Sequence, residues 1–260
     1  MLESQNMKIL IATGIFPPQG GGPAKYSKLL FDKLPQYGFE VTVVNFGDVL
    51  GFPKIIRHVI YFFRLFLKGF SNDIIFAQDP VSVGLPAMLV SKVLRKVFYL
   101  KIVGDYAWEQ GMQRFAVMDL LDVFSKEYKK YSFQVKVLKR IELFVANHAD
   151  QIIVPSEYLK KIVGNWGVRL SKIEVIYNGF NVPEIKSGKD ELRKKFNYVG
   201  KVIVSPGRLV PWKGFDTVIS AFPYILKTNP GVKLVIIGEG PEEKRLRGEV
   251  EKFNIEDKVI

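Results

Sequence analysis

The sequence predicts an α/β protein built from two doubly wound, Rossmann-like domains, of which the second is incomplete. Short apolar segments alternate with longer segments of helical spacing along the 260 residues, and this series stops once and starts again. Alternation of this kind is typical of parallel sheets that are covered by helices. The composition, 48% apolar and 25% charged, is that of a folded globular protein.

The first series supplies the elements of a domain predicted over residues 1–182. Its first strand, 8–13, is an apolar run that leads into a Gly/Pro loop, and 23–34 then has helical spacing. Each later strand is again a short apolar run, and the predicted strands are 39–46, 73–78, 97–103, 151–155 and 173–176. Helices are predicted at 83–93, in long helical stretches from 115 to 144, and around Leu159, Ile162 and Val163. The turn Asn178-Gly179 follows the last strand.

A change of composition at residues 183–200, rich in Lys, Ser and Gly near its start, predicts a linker. The second series then runs through a strand at 202–205, a helix at 215–227, a strand at 233–237 and a helix at 242–253. Val259-Ile260 resembles the start of a third strand. Two strand-helix units are fewer than a doubly wound domain needs to cover its sheet, so residues 201–260 are predicted to be the start of a longer domain.

Composition excludes several kinds of chemistry. The sequence has no cysteine and only two histidines, which removes thiolate sites and leaves little for a histidine metal cluster or a Ser-His-Asp triad. The longest stretch without a charge is 16 residues, too short to cross a bilayer, and the N-terminus lacks a signal-peptide pattern. We therefore expect a cytoplasmic protein without a bound metal. The net charge of +12 favours an anionic partner.

A glycine triplet, Gly20-Gly21-Gly22, lies between the first strand and the first helix. Bare backbone amides at a helix N-terminus can bind a phosphate, although a flexible loop explains the triplet equally well. Lys25 stands where a dinucleotide fingerprint has its third glycine, and no Gly-Lys-Ser or Gly-Lys-Thr of a P-loop occurs. The triplet is thus a candidate phosphate or sugar contact of another kind.

Two cations follow the first strand of the second domain. Arg208 and Lys213 lie on a loop at the carboxyl end of that strand, where doubly wound folds bind their ligands. An Arg fork and a Lys point charge together suit a diphosphate. The alternative is that both are ordinary solvated cations.

The motifs, taken in order, resemble those of family-four retaining glycosyltransferases of the GT-B fold. They are Ile15-Phe16-Pro17-Pro18 with Gly21-Gly22, Ile152-Ile153-Val154-Pro155-Ser156, Val175-Ile176-Tyr177-Asn178-Gly179, Gly207-Arg208-Leu209 with Lys213-Gly214, and Ile237-Gly238-Glu239-Gly240-Pro241. Each is weak alone, but five in the right order are specific. The resemblance covers the chain from Met7 to Ile260.

The resemblance implies that the second domain binds a nucleotide-sugar, a UDP- or GDP-sugar, and that the first domain binds a glycan or lipid-linked acceptor. It implies that Arg208 and Lys213 neutralise the donor diphosphate and act in catalysis. Gly21 and Gly22 match a loop that contacts the donor phosphate, and Gly238 and Gly240 match positions where the chain approaches the donor. Transfer would retain the anomeric configuration and need no bound metal.

Two departures from the family pattern affect the expected site. After the fourth strand the family commonly has a histidine, whereas this sequence has Gly104 followed by Asp105, so Asp105 is the candidate catalytic residue that orients an acceptor hydroxyl or the sugar. The family's paired glutamates and its nucleoside-binding part would lie beyond Ile260. Residues 1–260 alone are therefore expected to be inactive, and a non-catalytic sugar- or lipid-binding protein is the alternative.

A basic amphipathic segment, 52–70, carries Lys54, Arg57, Arg64 and Lys68, with no acid and an otherwise largely apolar sequence. Such a segment can lie on an anionic membrane surface, or it can pack against the core with cationic edges. A second basic region between Lys126 and Arg140, which includes Lys139, adds to the first. Peripheral attachment to the inner face of a membrane is thus one of two alternatives for this segment, and packing against the core is the other. No nucleic-acid-binding module is recognisable.

Overall fold

The computed structural model describes residues 7–179, 184 and 186–260. It divides into two compact units, Met1–Gly179 and Phe180–Ile260. The domain boundary predicted at 182 lies outside the described residues. Each unit contains a parallel sheet with its own apolar core, as the two predicted series of strands and helices require.

The first unit contains a six-stranded parallel sheet in the order β2-β1-β3-β4-β5-β6. The strands are β1 (Met7–Thr13), β2 (Phe39–Asn45), β3 (Ile74–Ala77), β4 (Val97–Lys101), β5 (Gln151–Val154) and β6 (Ile173–Val175). In β1, Leu10 is paired with Thr42 of β2 on one side and with Ile75 of β3 on the other. All five strand pairs are parallel, which confirms the predicted α/β class.

Seven α-helices of the first unit are described. They are α1 (Gly22–Lys33), α2 (Lys54–Gly69), α3 (Gly84–Leu94), α4 (Tyr106–Arg114), α5 (Leu121–Glu127), α6 (Phe133–His148) and α7 (Glu157–Asn165). The helical stretches predicted over 115–144 form two separate helices, α5 and α6, and α5 begins only at Leu121. Ala116 has a positive φ of 52°, and α6 starts only after Ser132. A left-handed residue cannot continue an α-helix, so Ala116 separates α4 from α5. The non-helical backbone of Tyr131 and Ser132 separates α5 from α6.

The two faces of this sheet bury separate apolar clusters. Tyr26 and Leu30 of α1 pack on one face with Ile11, while α2 and α3 pack on the other face through residues such as Leu65 and Met88. Helix α1 joins β1 to β2 on one face of the sheet, and α2 joins β2 to β3 on the other face. The direction in which successive strands are added to the sheet therefore reverses between β1 and β3. The carboxyl ends of these strands form the edge where doubly wound sheets bind ligands.

The second unit has a short parallel sheet, β7 (Val202–Pro206) with β8 (Lys233–Ile237). Three helices accompany it, α8 (Lys189–Lys195), α9 (Phe215–Thr228) and α10 (Glu243–Lys252). Val259 makes a parallel bridge to Leu234, as expected for the start of a third strand. Helix α8 lies in the predicted linker, where acids in its first turn and bases in its last turn suit the helix dipole.

Within the described residues, no helix is long and apolar enough to cross a membrane.

Candidate active site

The loop after β7 presents the two predicted donor ligands. Arg208 is the second residue after the strand, and Lys213 ends a single 3₁₀ turn, Pro211–Lys213. Gly214, with a φ of +68°, then starts α9. Both charged side chains are exposed, and neither has a hydrogen bond or ion pair with any residue that the structure describes. The two cations are therefore available to an anion at the carboxyl end of β7.

Backbone hydrogen bonds join this loop to the loop after β8. Gly207 N–H donates to the Ile237 carbonyl at 2.9 Å, and Leu209 N–H donates to the Glu239 carbonyl at 2.9 Å. Glu242 N–H donates in turn to the Leu209 carbonyl at 3.2 Å. The parallel pairing of β7 and β8 thus continues past both strand ends and carries Arg208 with it.

Gly238 and Gly240 lie where these two loops approach most closely. A Cβ built on Gly238 would overlap the carbonyl oxygen of Gly207, and one built on Gly240 would overlap that of Leu209. Any side chain here would push the loops apart and break their hydrogen bonds. The close approach of the two loops therefore explains both glycines without a ligand. Their approach to a donor stays a prediction.

The glycine loop of the first unit leaves the N-terminus of α1 bare. Gly21 precedes the helix with a φ of +120°, a conformation that side chains disfavour, and no side chain caps the helix. Around a Cβ built on Gly22, no atom lies within 4 Å among the described residues. The first turn carries no acidic residue. This geometry suits the predicted contact with a phosphate or sugar.

A buried polar cluster of Thr13, Ser27 and Gln78 lies below this loop. The Ser27 hydroxyl donates to Gln78 Oε1 at 2.7 Å and lies 2.9 Å from the Thr13 hydroxyl. Gln78 Nε2 is buried and has no partner among the described residues. Sequence reasoning missed this cluster, although a polar residue at the carboxyl end of two neighbouring apolar strands is a readable signal.

Asp105 has a different place from the one predicted. Its side chain is fully buried, and Oδ1 accepts the Trp108 N–H at 2.9 Å, which caps α4. Its other oxygen forms an ion pair with Lys139. Both oxygens are thus occupied and screened from solvent, so the prediction that Asp105 orients an acceptor hydroxyl is corrected here: the residue fixes the loop after β4.

Lys139 and Glu142 of α6 complete this buried cluster. Lys139 Nζ lies 3.2 Å from Glu142 Oε2, and Glu142 Oε1 accepts the Tyr106 N–H at 2.6 Å. Burial, and then the nearby negative charge of Asp105, raise the pKa of Glu142 well above its usual range. Lys139 is fully buried and also lies 3.5 Å from the centroid of the Trp166 ring. Its predicted membership of an exposed basic region is therefore wrong.

The position where the family commonly has a histidine is filled by another part of the chain. A Cβ built on Gly104 would overlap Oε1 of Glu109. The carboxylate of Glu109 in the first turn of α4 therefore takes the space next to Gly104. Asp105 and Glu109 thus have separate roles, one capping the helix and one covering the glycine.

Lys101 is a further charged group that sequence reasoning missed. It ends β4, is 2% exposed, and donates from Nζ to Asn178 Oδ1 at 2.8 Å. Its Nζ also lies 3.5 Å from the ring centroid of Tyr26. Burial lowers the pKa of Lys101 to about 8. Asn178, predicted only as a turn residue, therefore also holds a lysine at the carboxyl edge of the sheet.

Two family models match the chain. The model described as Glycosyltransferase Family 4 matches residues 20–183, and the model described as Glycosyl transferases group 1 matches residues 188–260. The α-monoglucosyldiacylglycerol synthase of Streptococcus pneumoniae is 26% identical over 98% of this chain, which covers 60% of that protein.

Solved structures are similar over nearly the whole chain. Anabaena HepE in complex with UDP-glucose has a TM-score of 0.69 and 18% identity, over 97% of this chain and 68% of that one. Sucrose-phosphate synthase of Thermosynechococcus elongatus has a TM-score of 0.71 and 16% identity, over 98% and 69%. At such identities the likeness shows the fold.

Proposed function

Because the chain belongs to glycosyltransferase family 4 and has an α/β fold of the GT-B type, we propose that its protein transfers a sugar from a UDP- or GDP-sugar to a glycan or lipid-linked acceptor. The transfer retains the anomeric configuration, as in the enzymes whose motifs the sequence resembles, and it serves the synthesis of a cell-surface glycan. The chain spans 60% of the length of the Streptococcus relative, so this activity is proposed for the whole protein.

The observation that carries the proposal is the cationic loop after β7. Arg208 and Lys213 have no partner among the described residues, and backbone pairing holds Arg208 at the carboxyl end of the strand. A diphosphate bound there would have its ground-state charge neutralised by both cations. More negative charge develops on the diphosphate as the sugar leaves, so the same contacts strengthen in the transition state.

The nature of the two substrates is supported by relatives. Anabaena HepE was solved with UDP-glucose, which favours a nucleotide-sugar donor. The Streptococcus relative is named for a monoglucosyldiacylglycerol, which favours a lipid acceptor. In the first unit, the bare N-terminus of α1 behind Gly21 and Gly22 is available to an anionic group of a substrate.

A donor screen tests the proposal. The protein as its gene encodes it is incubated with a panel of UDP- and GDP-sugars and a lipid extract, and released nucleoside diphosphate is measured. We expect release from one donor that depends on the extract. No release and no calorimetric binding across the panel would contradict a nucleotide-sugar transferase.

We further propose that α2 holds the protein at the inner face of a membrane. Its exposed side includes a ridge of apolar side chains, Ile55, Ile56, Val59, Phe63 and Leu67, each at least half exposed. Arg57, Arg64 and Lys68 recur at spacings that place them along one flank of this ridge. A ridge beside a line of cations suits the boundary between acyl chains and anionic headgroups.

Changing Lys54, Arg57, Arg64 and Lys68 to Gln is expected to release the protein from vesicles that contain anionic lipid. Each cation contributes about 1 kcal/mol near such a surface, so four changes lower binding by about a thousandfold at low salt. Co-sedimentation measures this, and high salt should reproduce it in the unchanged protein. Changing Lys160 and Lys161 on α7 is the control. Equal binding to neutral vesicles would contradict the proposed role of the four cations. No binding to either kind of vesicle would contradict the membrane proposal and leave α2 as a helix that only packs against the sheet.

A further inference from the structure

An apolar groove of about 670 Å³ lies in the first unit beside the N-terminal half of α2. Its apolar walls come from α2, α3 and α6, through residues that include Phe62, Leu85, Leu89 and Ile141. At its polar end, the hydroxyls of Ser82 and Tyr106 lie 3.3 Å apart. The volume is in the range of small-molecule sites.

The groove lies at the ligand-binding edge of the sheet. Phe46 follows β2, Ser82 lies on the loop between β3 and α3, and Tyr106 begins the helix after β4, and all three line the groove. Since the strands are parallel, these three positions lie beyond the carboxyl ends of β2, β3 and β4, at one edge of the sheet. The groove thus opens where the first unit is expected to present an acceptor.

One permanent cation lines this groove. Arg57 lies with its guanidinium 5.7 Å from the centroid of the Phe46 ring, and its Nε is buried without a hydrogen-bond partner among the described residues. Burial, and then the charge of Arg57, lower the pKa of the neighbouring His58, which keeps that imidazole neutral at neutral pH. None of the described lining residues is acidic.

A long apolar wall with one unpaired guanidinium selects for an amphiphile with an anionic head. A free sugar would leave the apolar walls exposed to water, and a neutral lipid would leave the buried Nε of Arg57 without a hydrogen-bond partner. We propose that this groove binds the hydrocarbon chain of a lipid-linked acceptor next to its head, and that Arg57 binds the phosphate at that head. This proposal rests on the proposed function, because it narrows the acceptor to a phosphate-bearing lipid.

Monomeric amphiphiles test the site without a membrane surface. Dodecyl phosphate, dodecyl maltoside and inorganic phosphate are titrated into the protein as its gene encodes it, below the concentrations at which the amphiphiles aggregate. We expect dodecyl phosphate to bind ten- to a hundredfold more tightly than dodecyl maltoside, as a charge-assisted contact implies. Inorganic phosphate alone should bind more weakly than either.

Two substitutions separate the head from the chain. Arg57→Gln should reduce the affinity for dodecyl phosphate to that for dodecyl maltoside, while Lys92→Gln, exposed on α3 and outside the groove, should change neither. Val59→Trp, at a half-exposed position of the wall, should weaken both amphiphiles by filling the groove. Val93→Trp, exposed on α3 but not in the groove, is its matched control.

Equal affinity for the two amphiphiles, or an Arg57→Gln variant that still prefers the phosphate, would overturn the proposal. A Val59→Trp variant that is folded by circular dichroism and binds unchanged would do the same. These assays need no sugar donor, so their outcome is distinguishable from that of the donor screen. Sugar transfer to a soluble acceptor without amphiphile binding would refute only the proposal that the groove binds a lipid. Amphiphile binding without any sugar transfer would refute only the proposed transferase activity.

Discussion

Arg208→Ala, in the protein as its gene encodes it, is expected to lower kcat/KM by about 10²- to 10³-fold, the usual effect of removing one contact that stabilises developing charge. The guanidinium is exposed and has no partner among the described residues, so its removal leaves no buried group unsatisfied. Folding should therefore be unchanged. Initial rates at several donor concentrations measure the loss and separate kcat from KM.

Two companion variants sharpen this experiment. Arg208→Lys keeps the charge but loses the bidentate fork, so its rate should fall between those of the unchanged protein and the alanine variant. Lys227→Ala removes an exposed cation from α9 in the same unit and should have normal kinetics. If Arg208→Ala turns over at a near-normal rate, the diphosphate site has been assigned to the wrong residue.

Lys139→Ala is expected to lower the free energy of unfolding of the first unit by about 3–5 kcal/mol, as when one member of a buried ion pair is removed. The ammonium is fully buried against Asp105, Glu142 and the Trp166 ring. Its loss leaves two carboxyl groups in the interior without a cation. Denaturant unfolding followed by tryptophan fluorescence measures the change, and Arg140→Ala, exposed on the same helix, should change it by less than about 0.5 kcal/mol.

The loss of unfolding free energy in Lys139→Ala is expected to depend on pH. The pKa of Glu142 is already raised in the folded protein, and Lys139 opposes that rise, so the pKa rises further when Lys139 is removed. A carboxyl group with a raised folded pKa favours folding below its unfolded value and loses that contribution as pH increases. Lys139→Ala should therefore be least destabilised near pH 4 and most destabilised at neutral pH. A deficit no larger than that of Arg140→Ala would show that the cluster is not held by this charge.

Much of the fold could be predicted because its cause is local. The apolar run 8–13 forms a strand since its residues from Ile9 onward are buried on both faces of a parallel sheet, and in 233–237 the same holds for Leu234 and Val235. The division of 115–144 into α5 and α6 was not predicted, because it depends on the non-helical backbone of Tyr131 and Ser132, and neither residue is a glycine or proline that would mark a break in the sequence. The helix α8 was missed for another reason, since the Lys and Ser at 183–190 were interpreted as linker composition.

The residues of the candidate site show the same difference between features with a local cause and features that depend on tertiary packing. Arg208 and Lys213 were identifiable because a loop after an apolar strand places exposed cations at the ligand edge whatever the packing. The role of Asp105 depends on Lys139, which is 34 residues away in the sequence, and no local pattern reports such a pairing. Arg57 was noticed only as one charge of an amphipathic helix, because a groove exists only once α2, α3 and α6 are packed together.

The hydrogen bonds between the loops after β7 and β8 have a consequence for conformational entropy. Fixing the backbone of a flexible residue costs about 1–2 kcal/mol, and a mobile ligand-binding loop incurs this cost each time it orders around its ligand. The loop that carries Arg208 is already ordered by its bonds to the Ile237 and Glu239 carbonyls. Its ordering belongs to folding, which leaves more of the contact energy between Arg208 and an anion available as affinity.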